Sequence, residues 1–236
     1  MFCCCQNDAS SKDEAVMVKA FPVTDEHKRS KEAPLGPPAD EVKPVEAPVK
    51  TEERKAAPDS AEAVKTFVAN VTKPTQDAAL GWHLDVLDQR HLFICRLITT
   101  SNTPLEKYNS TVSSNLQIRE GDYVTAVDGV SGSAEKMSEA MKKSDNLSIT
   151  VARPHLFTKT ISKNNMALGL DLKYGPGGSS LLLEGVREGA IKNSTSEVKA
   201  GDRIVSVNGI TGTPYILMQA IQDAANLEIC FSRPSS

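Results

Sequence analysis

No stretch of this chain is both long and apolar. A run of about 18 apolar residues, the length a bilayer-spanning helix needs, is nowhere present. Polar Gln6 to Glu14 stands where a secretory signal would carry its apolar core, so the chain is expected in the cytosol or on the cytosolic face of a membrane. Positive charge is not in excess: 27 Lys and Arg against 30 Asp and Glu give a net charge of −3. Aromatics are sparse, and no basic stripe interleaves with them, which argues against nucleic acid as a partner. Cysteine is scarce through the body of the chain. Cys95 and Cys230 each fall in an apolar, strand-like run, where a free cysteine behaves as a small buried hydrophobe and not as part of a disulfide framework. No GxSxG or GDSG block supplies a nucleophile, and no cofactor is implied, so the chain reads as non-enzymatic.

What is present begins with a biased front segment. Residues 1–64 run through PLGPPADEVKPVEAPVKTEERKAAPDSAEA, rich in Pro, Ala, Glu and Lys. Such a composition buries too little apolar area to offset the entropy of ordering, so the segment is expected to be a disordered tether with ends on the order of 45 Å apart. At its start stand Cys3, Cys4 and Cys5. Position 2 is Phe2, which excludes N-myristoylation and leaves palmitoylation of the cysteines as the available lipid chemistry. One acyl chain gives reversible contact, and two or three give firm anchoring. Unmodified thiols and a partial metal site are the alternatives, although zinc favours spaced cysteine pairs and only His27 lies on the same segment.

The remainder is written twice. QIREGDYVTAVDGVSG, Gln117 to Gly132, returns as EVKAGDRIVSVNGITG, Glu197 to Gly212. At the same offset of eighty, Gly121 matches Gly201, Asp122 matches Asp202, and Arg153-Pro154 matches Arg233-Pro234. A period this long exceeds solenoid units, so each copy is expected to be a small domain with its own core, over 65–154 and 155–236. In the second copy LFTKTIS, ALGLDL and SLLLEGV read as strands, then REGAIKNS as a helical turn and DRIVSVNG as a strand ending in an Asn-Gly turn. TPYILMQAIQDAAN reads as a helix with Thr213 as N-cap and Pro214 at its first position, and LEICFSRP as the closing strand. The first copy gives the same order, except that its extra eight residues fall in Thr99 to Asn115, read as a surface loop.

The blocks GDYVTAVDG and GDRIVSVNG resemble the GDxIxxVNG signature of PDZ domains, and EGVREGA resembles that family's strand-to-helix passage. The resemblance implies a mostly β, α+β architecture: two PDZ-like, partly open barrels or sandwiches in tandem, each with two helices. It implies that Leu80, Gly81 and Trp82, and likewise Leu168, Gly169 and Leu170, form a loop whose backbone N–H groups make a nest for a peptide's terminal carboxylate. The strand after each loop would then pair with the incoming peptide, so that C-terminal peptides of other proteins, membrane proteins among them, are the implied partners.

The position where many family members carry a histidine at the start of the second helix falls on Ala134 and Pro214, neither of which offers a side-chain hydrogen bond. The rest of the implied groove is Leu84, Ser138 and Met141 in the first copy and Leu172, Met218 and Ile221 in the second, the latter wholly apolar. Adjacent sites of about micromolar affinity are expected, close-packed because Arg153-Pro154 runs directly into the next strand, with room for one groove to be occluded. His83, His91 and Asp85 near Cys95 suggest a Cys/His pair on paper, against which stands the absence of equivalents in the second copy. The rival to peptide capture is a degenerate repeat that serves as a structural or dimerisation module without accepting a free carboxylate.

Overall fold

The computed structural model describes residues 16–18, 64–98 and 102–235; Cys3, Cys4 and Cys5 lie outside them. The described chain is mostly β, with four helices and two antiparallel sheets. It begins with the short strand β1 (Val16–Val18). The first copy then supplies β2 (Thr66–Thr72), β3 (Trp82–Asp85), β4 (Leu92–Leu97), α1 (Pro104–Thr111), β5 (Tyr123–Val127), β6 (Val130–Ser131), α2 (Ala134–Lys143) and β7 (Asn146–Ala152). The second supplies β8 (Pro154–Ser162), β9 (Leu170–Tyr174), β10 (Leu181–Val186), α3 (Ala190–Ser194), β11 (Arg203–Val207), α4 (Pro214–Asp223) and β12 (Asn226–Pro234).

The two copies share one strand order. One sheet runs β2-β7-β5-β4-β3 with β6 paired to β5, and the other runs β1-β9-β10-β11-β12-β8. In each, the copy's second strand lies at or next to an edge and its first strand closes the opposite edge. Alternation sets the faces: Phe67, Ala69 and Val71 of β2 are buried while their neighbours are exposed, and β7 and β12 repeat the same alternation. Inward side chains and the buried faces of the helices fill one apolar cluster per copy, around Leu92, Ile94 and Met137 and around Leu181, Leu217 and Phe231. Each fully buried Leu, Ile or Phe contributes about 1.5–3 kcal/mol.

The duplicated motif has a physical explanation in both copies. Asp128-Gly129 and Asn208-Gly209 all have positive φ, as a two-residue turn after β5 and β11 requires. The register shifts in the same place, between Val124 and Ala126 and between Ile204 and Ser206. Asp122 accepts from Arg119 N (2.7 Å) and from Arg153 Nη1 (2.6 Å). Asp202 accepts in the same way from Lys199 N and Arg233 Nη2, both at 2.9 Å. The matched Asp and Arg are therefore partners, and each guanidinium also lies over an aromatic ring of the copy's first strand: Arg153 over Phe67 at 4.7 Å, Arg233 over Phe157 at 4.4 Å. Burial raises the pKa of both carboxyl groups despite these partners.

Two sequence-based expectations need amending. The stretch read as a surface loop contains α1, started by Thr103, whose Oγ1 accepts from Glu106 N at 3.2 Å, with Pro104 at the first position. The front segment, read as a disordered tether, supplies β1 at Val16–Val18.

The copies meet through residues that the repeat does not share. Phe93, Cys95, Tyr123 and Ala152 of the first copy form a small cluster against Val205 of the second. Arg203, fully buried, donates through Nη1 to Asp85 Oδ2 (2.7 Å) and Ser180 Oγ (3.0 Å), and its guanidinium lies 4.5 Å from the centre of the Phe93 ring. Tyr123 Oη and Ser232 Oγ are 2.9 Å apart across the same contact. Ser179 Oγ donates to Cys95 O at 3.3 Å.

Removing one partner from a buried ion pair leaves the other charge stranded. Arg203→Ala is therefore expected to lower unfolding free energy by about 3–5 kcal/mol, read from denaturant midpoints. The double variant Asp85→Leu/Arg203→Met should recover most of that loss. Burial pushes the Tyr123 phenol up to about 12 from its ordinary value of 10.0. A folded-state pKa raised in this way leaves stability intact below pH 10 and erodes it as pH rises toward 12, by roughly 3 kcal/mol in all. Tyr123→Phe should abolish that part of the alkaline loss in pH-dependent unfolding.

Candidate functional site

In both copies a glycine-containing loop, an edge-region strand and a helix are assembled by the same contacts. Gly81 (φ +101°) and Gly169 (φ +79°) occupy the left-handed region. A Cβ on Gly81 would stand 2.5 Å from the Thr103 side chain, and one on Gly169 would stand 2.9 Å from the carbonyl oxygens of Arg187 and Glu188. The loop carbonyls face inward. Leu80 O accepts from Leu105 N (3.1 Å) and Gly81 O from Ile98 N (2.8 Å). Leu168 O accepts from Ile191 N (3.1 Å) and Gly169 O from Arg187 N (2.8 Å). Among the described residues, none accepts from the N–H of Leu80, Gly81, Leu168 or Gly169. A turn that commits its carbonyls to the body of the fold and leaves successive N–H groups free has the composition of an anion nest.

The helix alongside each strand is fixed at both ends. Ala134 N, at the start of α2, donates to Gln89 O in the turn after β3 (2.8 Å). At the other end Lys73 Nζ, just past β2, donates to Met141 O (2.7 Å) and to Gln76 O. In the second copy Pro214, which opens α4, packs by Gly178 in the turn after β9. Lys163 Nζ, just past β8, donates to Ile221 O and to Gln222 O. Burial lowers the pKa of Lys163. Each helix therefore runs antiparallel to its strand, with a lysine on its C-terminal carbonyls, where a cation also suits the helix dipole. These lysines escaped sequence reading because they stand ninety residues apart, outside the offset of eighty. Their signal is a lysine that closes the first strand of each copy.

Most of the residues singled out from sequence are brought together. Leu80, Met141 and Ala134 are buried in the first cluster, with Trp82 and Leu84 half-buried against it. Leu168, Leu170, Leu172 and Ile221 are buried in the second, with Met218 half-buried against it, and Pro214 is buried at the start of α4. The burial sequences of α2 and α4 are the same, residue for residue. Half-buried Ser138 holds the place of Met218, and its Oγ donates to Ala134 O (2.8 Å), inside its own helix. Ala134 and Pro214 are the first residues of their helices.

The side chains weighed as a Cys/His pair have other engagements. His91 Nδ1 lies 2.7 Å from Asp88, Asp85 binds Arg203, and Cys95 packs in the contact between the copies. Burial, with the Asp85 charge second, raises the Cys95 thiol above its ordinary pKa, the opposite of what a nucleophile needs.

No family model and no curated protein matches the chain. Among solved structures it is similar to INAD PDZ45 in complex with an NG2 peptide, at 14% identity, covering 73% of this chain and 91% of that one, with a TM-score of 0.34. It is likewise similar to the complex of INAD PDZ45 and NORPA CC-PBM, at 15% identity, 73% and 93% coverage and a TM-score of 0.34.

Gly169→Ala would push a Cβ against backbone that has no rotamer to yield, whereas a Cβ on Gly201, also at positive φ, would meet nothing within 4 Å. Both substitutions carry the cost of left-handed backbone, about 1–2 kcal/mol. Gly169→Ala is expected to cost at least about 1 kcal/mol more than Gly201→Ala in paired chemical denaturation curves.

Proposed function

We propose that this chain is a non-enzymatic adaptor with two PDZ-like peptide-binding modules in tandem. The observation that carries the reading is the duplicated unit of free loop N–H groups, strand and lysine-capped helix. A peptide's terminal carboxylate would sit on the N–H groups at Leu80–Trp82 or Leu168–Leu170, and the peptide's backbone would extend the sheet beside β3 or β9. Each ladder bond nets only about 0.5–1.5 kcal/mol, so a ligand of four or five ordered residues reaches about micromolar affinity. With Ala134 and Pro214 at the helix starts, neither module has a side chain there to select a Ser or Thr. The lining of the second, Leu170, Leu172, Met218 and Ile221, favours apolar C-terminal residues.

Acylation of Cys3, Cys4 and Cys5 belongs to the same proposal. It would hold the modules at a cytosolic membrane face, where tails of membrane proteins are presented at high local concentration. The firm contact between the copies supports a single body carrying two sites. A purely structural or dimerising role is the second reading. It rests on the degree to which Leu170, Leu172 and Ile221 are already buried in the core.

Free-carboxylate and amidated forms of one apolar-ended peptide separate these readings by calorimetric titration of the full chain. Peptide capture predicts that amidation weakens binding by at least tenfold. Equal affinity of the two forms would favour the second reading. Replacement of the three cysteines by serine should release the protein from membranes in fractionation, and unchanged fractionation would remove the lipid anchor from the proposal.

A further inference from the structure

The two copies differ at one place that matters for ligand access. Strand β3 ends its sheet, with nothing beyond it among the described residues, whereas β9 has a partner on its outer edge. That partner is β1, which pairs antiparallel with β9 in the register Val16–Tyr174, Met17–Lys173 and Val18–Leu172. The edge it covers is the one on which the reading above places a peptide, and the direction is the one such a peptide would take.

The sequence of β1 suits that position. Val16, Met17 and Val18 make the one uninterrupted run of three such large aliphatic residues in a front segment otherwise dominated by Pro, Ala, Glu and Lys. The groove strand beneath it carries Leu170 and Leu172, and Ile221 and Met218 stand on the helix side of the same cluster. Strand, edge and groove chemistry thus agree. Val18 is followed by Lys19, so β1 is an internal segment and brings no terminal carboxylate to Leu168–Leu170. A carboxylate-bearing peptide therefore has one favourable contact that β1 lacks.

We infer that residues Val16–Val18 are a built-in competitor for the second groove: a strand of the chain's own front segment that holds β9 until a C-terminal peptide displaces it. The inference rests on the peptide-binding reading of that groove. Covalent connection gives such a segment an effective concentration of about 1 mM. A segment with an intrinsic dissociation constant of about 0.1 mM would then leave roughly a tenth of the grooves open and weaken external ligands about tenfold. The first groove, whose strand has no partner on its outer edge among the described residues, carries no such restriction.

The test compares the full chain with its Val16→Pro/Met17→Pro/Val18→Pro variant, which removes every N–H of β1 and touches neither repeat. Amide hydrogen exchange of Leu170–Tyr174 is followed during titration with the peptide Asp-Glu-Ala-Val-Met-Val bearing a free carboxylate, a copy of residues 13–18. The variant is expected to exchange faster at β9 without peptide and to reach half-protection at about a tenth of the peptide concentration. An unmoved midpoint, with protection in both proteins, overturns the inference and leaves the peptide reading intact. No protection in either protein at millimolar peptide overturns the peptide reading, and this inference with it.

Discussion

An edge strand leaves one row of backbone N–H and C=O groups without a partner inside its own sheet, and the use of the two groove strands follows from that constraint. Such a row is a hazard for aggregation and an opportunity for recognition. Here each sheet closes its far side with the copy's first strand, β2 or β8, and sets its second strand, β3 or β9, at the side where a helix runs alongside. The lysine that ends the first strand reaches across to the last carbonyls of that helix, as Lys73 does to Met141 and Lys163 to Ile221 and Gln222. The strand that closes one edge therefore also fixes the helix that flanks the other. Because the helix is held from its ends and not by pairing with the strand, the outer edge is left to another strand, which β1 supplies for β9, while β3 has none among the described residues.

The parts of this arrangement that were legible in the sequence are the parts encoded locally and written twice. The Asp and Arg matched at an offset of eighty prove to be ion-pair partners, Asp122 with Arg153 and Asp202 with Arg233. The turns at Asp128-Gly129 and Asn208-Gly209 have the positive φ their residue types foretell. The groove helices start at Ala134 and Pro214 because Ser133 and Thr213 cap them. Helix α1 was not legible, since PLEKYNST has a mixed polar composition and buries only Pro104 and Leu105. It forms because Thr103 caps it and the Leu80 carbonyl takes the N–H of Leu105. Nor could one sequence pair Arg203 with Asp85, 118 positions away, because no local pattern links them.

The copies also diverge where they touch. Tyr123 and Arg203 occupy the same position of the repeat, and both turn into the contact: the phenol meets Ser232 and the guanidinium meets Asp85. One copy presents a ring with a polar tip, the other a planar cation, and the ring of Phe93 lies against both. An exact duplication would set two identical side chains in this place without complementarity. Asp85 also ends β3, so the residue that joins the copies is continuous with the first groove strand. Among the described residues the nitrogens Nε and Nη2 of Arg203 have no partner, which places the burden of compensating a buried charge on Asp85, Ser180 and the Phe93 ring.

The proposed competitor strand also bears on the proposed anchor. Ten residues lie between Cys5 and Val16, so with acylated cysteines and β1 seated on β9 the second groove is held within about 40 Å of the acyl chains, the limit of a fully extended connection. Displacement of β1 moves the point of attachment to Val64, where the repeats begin, and lengthens the leash to most of the front segment. With 58 residues between Cys5 and Val64, that connection is several times longer at full extension. A peptide that takes the second groove would in this way do two things at once. It would fill a site that was covered, and, if the proposed anchor holds the cysteines, it would let the body that carries both sites move farther from it.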